Sequence, residues 1–260
     1  MNNKRNNNNR NRRRGPRRDR ARGGSSGGHP RRGPRPAGPP QGQQQNGGSQ
    51  NLIKICGGEA RGRMVRMPVG LGVRPTSEKV REAVFDILGP LVEGAVFYDL
   101  FAGTGAMGIE ALSRGAERAV FVESSRRVEL VIRSNATGCG LAGRFDIWSG
   151  AFEDFIKQAG QSGLPRPTII YLDPPYAIEN HLDLIKGVSR ARWHREDPDL
   201  LVIMERPARR AAFDPGDLPH PFRITDTRTY GDTGLVFFSA RPVEESVESE
   251  NGSEDAAEGK

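Results

Sequence analysis

The chain has 260 residues, 39 Lys/Arg against 32 Asp/Glu for a net charge of +7, and 35% apolar residues. Two cysteines cannot build a disulfide framework and lack metal-ligand spacing, four histidines are scattered, and no apolar run nears the roughly 20 residues of a membrane span. These features argue against a stapled secreted scaffold, a zinc module and a membrane protein, and the expected setting is the cytoplasm, with no metal.

Residues 1–50 carry 13 Lys/Arg and a single acid, Asp19, among Asn, Gly, Pro, Gln and Ser. So little apolar surface cannot offset chain entropy, which predicts a disordered basic tail. Residues 51–90 read as a separate element. Leu52-Ile-Lys-Ile-Cys56 and Arg63-Met-Val-Arg-Met67 flank a glycine-rich turn and predict a β-hairpin. Thr76 or Ser77 caps a helix carrying Val80, Val84, Ile87 and Leu88, ended by Gly89-Pro90. Residues 52–81 hold a net charge of +5, and Arg61, Arg63, Arg74, Thr76, Lys79 and Arg81 are candidates for phosphate contacts.

Over residues 91–240 strands and helices alternate. Strands are expected at Val96–Leu100, Ala119–Val122, Phe145–Trp148, Thr168–Leu172 and Leu200–Met204, and helices at Ala106–Ser113, Arg126–Thr137, Phe152–Gln158 and His181–Arg190. Phe222–Arg228 and Leu235–Ser239 close the unit as an antiparallel pair around Tyr230-Gly231-Asp232. Short apolar strands between helices predict an α/β fold, a mostly parallel seven-stranded sheet with its last strand antiparallel. Residues 241–260 carry a net charge of −5 and are expected to form a disordered acidic tail, which leaves residues 51–240 without net charge.

Two motifs carry chemistry. The first, Asp99-Leu-Phe-Ala-Gly103-Thr-Gly105-Ala-Met-Gly108, is a glycine-rich loop between a strand and a helix, with Glu123 ending the next strand. It fits a nicotinamide enzyme, with a pyrophosphate at the helix start, or an S-adenosylmethionine enzyme, with Asp99 on the ammonium and Glu123 on the ribose hydroxyls. Asp99 is badly placed beside a pyrophosphate, which favours the second reading. Phe101, Gly103 and Gly105 join Asp99 and Glu123 as candidate cofactor contacts. Ala151 and Phe152 stand after the third strand, where an adenine meets a backbone N–H and an aromatic edge.

The second motif, Asp173-Pro174-Pro175-Tyr176, follows an apolar strand. Two prolines fix φ and remove two donors, so the backbone is stiff and offers carbonyls without competing N–H groups. The Asp173 carboxylate and a nearby carbonyl can accept both hydrogens of an exocyclic amine, whose lone pair then points at a methyl donor, while Tyr176 stacks on the ring. This tetrapeptide has no role in hydride transfer.

Ile55-Cys-Gly57-Gly58 with Arg61-Gly62-Arg63, Arg74-Pro75-Thr76, Val80-Arg81-Glu82, the glycine loop, Glu110-Ala-Leu-Ser-Arg114-Gly115 and Asp173-Pro-Pro-Tyr176 resemble bacterial 16S rRNA (guanine-N2)-methyltransferases of the RsmD type. The resemblance implies a Rossmann-like class I methyltransferase fold with a small N-terminal hairpin. It also implies S-adenosyl-L-methionine as cofactor and transfer to a guanine amine in 16S rRNA. The expected partner is that rRNA or the assembling small ribosomal subunit, and the expected state is a monomer. Cofactor contacts would fall on Asp99, Gly103, Gly105 and Glu123, and amine contacts on Asp173 to Tyr176. Gly150 departs from the family, where a polar residue is common. Rival readings are a DNA adenine N6-methyltransferase and a non-catalytic RNA-binding module.

Overall fold

The computed structural model describes residues 52–68 and 76–240; the basic leader 1–50, the acidic tail 241–260 and Arg74 lie outside them. Strands β1 (Leu52–Lys54) and β2 (Met64–Arg66) pair antiparallel as a small separate sheet. Each buries only its middle residue, Ile53 or Val65, and presents basic and apolar side chains on the other face. Helix α1 (Glu78–Leu88) starts at Ser77, whose side chain accepts from Val80 N. Gly89, the C-cap at φ 49, leads into a short 3-10 turn, Gly89–Val92.

The main sheet holds β3 (Val96–Asp99), β4 (Arg118–Glu123), β5 (Phe145–Ser149), β6 (Ile169–Leu172), β7 (Leu201–Pro207), β8 (Arg223–Tyr230) and β9 (Thr233–Ser239) in the order β5-β4-β3-β6-β7-β9-β8. The first five run parallel, and β9 is antiparallel to both neighbours. Helices α2 (Ala106–Ser113), α3 (Arg126–Gly138), α4 (Phe152–Gln158) and α5 (His181–Arg190) fill the crossovers. Alternate strand residues serve opposite faces. Phe97, Phe121, Tyr171 and Ile203 pack with the hairpin, α1, α2 and α3, while Tyr98, Val120, Leu172 and Met204 pack with α4 and α5.

The expected elements and antiparallel last strand are present, with two differences. Strand β7 runs on to Pro207, beyond the end of its apolar run, because the β9 ladder continues to Pro207↔Thr233. The closing pair does not simply extend the edge: the last strand, β9, inserts between β7 and β8. Among the described residues no helix is long and apolar enough to cross a membrane.

The hairpin is built into the core. The Glu110 carboxylate of α2, fully buried, accepts from Cys56 N at 2.8 Å and Gly57 N at 2.7 Å, and from Arg114 Nε at 2.9 Å. Ser113 Oγ donates to Gly57 O at 2.5 Å and accepts from Ala60 N at 2.9 Å. Gly58, at φ +70, lies so close that a Cβ there would stand 1.6 Å from Ser113 O. Asn135 of α3 accepts from Arg66 N and donates to Arg66 O and Thr104 O, joining β2 to the glycine loop.

Candidate active site

The order reversal around β3 brings its carboxyl end beside that of β6, although about 70 residues separate the two motifs. A cavity of about 520 Å³ opens there. Its wall includes Asp99, Phe101, Gly103, Glu123, Ala151 and Phe152 on one side and Asp173, Pro174, Pro175 and Tyr176 on the other. Of the expected cofactor and amine residues, Gly105 alone is not in the wall. It shapes the loop instead: it is the N-cap of α2 at φ 76, and its N–H donates to Ala102 O at 2.7 Å. Gly108 serves packing, since a Cβ there would press to 2.3 Å from the Phe121 ring.

The loop carboxylates differ in environment. Glu123 is partly exposed and oriented by two backbone donors, Gly103 N to Oε2 at 3.1 Å and Ser125 N to Oε1 at 2.8 Å. Asp99 is 2% exposed and accepts from Gly108 N at 3.4 Å. Burial pushes its carboxyl up to about 7, and the nearby Glu123 charge adds to the effect. A buried carboxyl that is costly to ionise in a cavity wall is a ready partner for a ligand's ammonium group. Phe101 and Phe152 stack with centroids 5.4 Å apart and give that end an apolar surface. Beside them, any Cβ at Gly150 would stand 3.3 Å from Trp148 Nε1. The donor set therefore fits a cationic, ribose-bearing, aromatic ligand.

At the other end Thr76 Oγ1 donates to Asp173 Oδ2 at 3.3 Å. The fully buried Tyr171 donates its phenol hydrogen to Glu205 Oε2; burial first, then the Glu205 and Asp173 charges, hold that phenol well above its usual range. Tyr176 is 64% exposed at the cavity wall.

The described candidates for phosphate contacts fall in three settings. Arg61, Arg63 and Lys79 are exposed, and Arg63 Nη1 donates to Gly138 O at 3.1 Å. Thr76 belongs instead to the cavity wall. Arg81 is a correction, because it is fully buried and offers RNA no surface. Its guanidinium donates to Lys54 O at 2.6 Å and Thr76 O at 3.3 Å and lies 3.4 Å from Glu110 Oε2, fastening hairpin, α1 and α2. Helical spacing carried the signal, since Arg81 stands three, four and seven residues before the buried Val84, Phe85 and Leu88. Tyr171 drew no functional reading from the sequence and Glu205 reads there only as the end of the fifth strand, although each lies at the carboxyl end of a parallel strand, where such sheets bind ligands. One further group was not suggested by spacing: Cys56, Glu78 and Glu82 have ligand atoms within 4.8 Å of one another. Arg81 Nη2 donates to Cys56 Sγ at 3.3 Å, and that positive charge opposes a metal ion.

This sheet order, with the glycine loop at β3 and Asp-Pro-Pro-Tyr after β6, defines a Rossmann-like S-adenosylmethionine-dependent methyltransferase. The chain belongs to the family described as conserved hypothetical protein 95, the RsmD family, whose model matches residues 53–239. It is 36% identical over 147 residues to ribosomal RNA small subunit methyltransferase D of Escherichia coli (strain K12), covering 55% of this chain and 72% of that one. It is 30% identical over 191 residues to YlbH of Bacillus subtilis (strain 168), covering 73% of this chain and 100% of that one. Among solved structures, the Escherichia coli protein yhhF superposes with a TM-score of 0.61 at 25% identity, over 74% of this chain and 99% of that one.

Proposed function

We propose that this protein methylates the exocyclic N2 amine of a guanine in 16S rRNA, acting in the cytoplasm as a monomer on the free RNA or the assembling small subunit. The observation that carries the reading is the placement of Asp173-Pro174-Pro175-Tyr176 in the same cavity wall as the Asp99 to Gly103 loop. The small-subunit rRNA relative supplies the acceptor class.

S-adenosylmethionine, when bound, supplies an electrophilic methyl group on a sulfonium centre. The chain's own residues bind, orient and exclude water. Asp99 would hold the cofactor's ammonium and Glu123 its ribose hydroxyls, and Phe101, Phe152 and Ala151 N–H would receive its adenine. Asp173 accepts one amine hydrogen and a carbonyl near Pro174 the other, so the nitrogen lone pair is drawn out of the ring and aimed along one direction. Thr76 donates to Asp173 Oδ2 and helps to orient that carboxylate. Tyr176, exposed at the wall, stacks on a base that has left its helix. The rate gain comes from alignment and fixed dipoles, with no covalent enzyme intermediate. Arg61, Arg63 and Lys79 hold the RNA backbone outside the cavity.

The test is transfer of a labelled methyl group to small ribosomal subunits lacking the modification, followed by nucleoside mapping. Label in N2-methylguanosine is expected, and label in adenosine or in protein would refute the acceptor. Asp173→Ala should lower transfer at least about 10²-fold while cofactor binding, followed calorimetrically, persists.

A further inference from the structure

Asp173 and Glu205 follow neighbouring parallel positions, each one residue past the pair Leu172↔Met204. The alternation that puts Tyr171 and Ile203 on one face of the sheet carries Asp173 and Glu205 to that same face, and both line the cavity. Each is held by a hydroxyl: Thr76 donates to Asp173 Oδ2 at 3.3 Å, and Tyr171 donates to Glu205 Oε2. Burial of Tyr171 keeps its phenol protonated, so it can serve Glu205 only as a donor and fixes the direction of that carboxylate.

Two acceptors on adjacent strand ends match a base edge with two neighbouring donors. Among the RNA bases only guanine has an amine beside a ring N–H. Adenine and cytosine set a ring lone pair next to the amine, and uracil has no amine. A ring lone pair facing a carboxylate is repelled, and the carboxylate is left without its hydrogen bond.

We propose that Glu205 accepts the N1–H of the target guanine while Asp173 takes its N2 amine, which makes Glu205 the residue that selects guanine. Tyr171 is a positioning residue that acts through Glu205. The inference rests on the guanine N2 reading above.

The test compares rRNA fragments carrying guanine or 2-aminopurine at the nucleotide the wild type methylates. 2-Aminopurine keeps the amine but has a lone pair at N1. The wild type should prefer guanine by about 10²-fold or more in kcat/KM. Glu205→Gln, whose amide can donate to that lone pair, should reduce the preference below about tenfold with S-adenosylhomocysteine binding unchanged. A wild type indifferent to the swap, or a Gln variant with the wild-type preference, would overturn the proposal. If the Gln variant fails to bind S-adenosylhomocysteine, Tyr171→Phe carries the test: its guanine preference should fall, and an unchanged preference counts against Glu205. Absence of guanine methylation by the wild type would instead remove the N2 reading itself.

Discussion

The ammonium contact proposed for Asp99 would couple ligand binding to pH. Burial raises its carboxyl to about 7, so the group is half protonated near neutrality. A bound ammonium favours the ionised form, and cofactor affinity should therefore fall as pH drops from 8 to 6, approaching tenfold per pH unit below 7. Calorimetric titration with S-adenosylhomocysteine across that range measures it, and Asp99→Asn should bind weakly with a flat profile. For the fold alone the sign is opposite. The folded value lies above the unfolded one, so ionised Asp99 costs stability above pH about 7, and the cost is relieved as pH falls toward the usual carboxylate range. Asp99 was legible in the sequence because a motif brackets it. Arg81 was misread because neighbouring Lys79 made it look like part of a solvated charge run, whereas the helical period places it on the buried stripe. Glu205 carried no local motif; its role appears only when the strand beside Asp173 is known.

Among the elements, the hairpin turn docks through contacts that single changes break. Gly58→Ala meets both a φ of +70 and a carbonyl 1.6 Å from the new carbon, and should cost at least about 2 kcal/mol in urea unfolding. Glu110→Ala leaves the Arg81 guanidinium buried without its carboxylate and two backbone N–H groups without an acceptor, at a cost of about 3–5 kcal/mol. The same unfolding measurement checks it; a change below about 1 kcal/mol would show that Arg81 is satisfied by the carbonyls alone. The Gly-Gly and Arg-Gly-Arg pattern that carried the family resemblance thus has a packing explanation at its first two glycines. Strand and helix positions were legible because apolar runs and glycines are local signals. The extension of β7 to Pro207 was not, because a ladder with β9 supplies it rather than the residues of β7.

For the whole molecule, charge and topology act at different ranges. Residues 51–240 carry no net charge, and the excess of basic residues lies in residues 1–50. Deleting them should weaken RNA binding severalfold at low salt, with the difference vanishing as salt rises, and leave guanine preference intact. Filter binding across a salt series decides; equal affinity throughout would dismiss a steering role. The number of strands was readable from the sequence, but their spatial order was not, because no local residue records that β9 inserts between β7 and β8. That insertion has a consequence for synthesis. The cavity wall includes Thr76 near the start of the described chain and Thr233 on β9, and β8 has no partner strand until β9 arrives. A chain translated only as far as β8 therefore has an open β7 edge and a cavity wall still without Thr233, so β9 closes the sheet and completes the wall in one step.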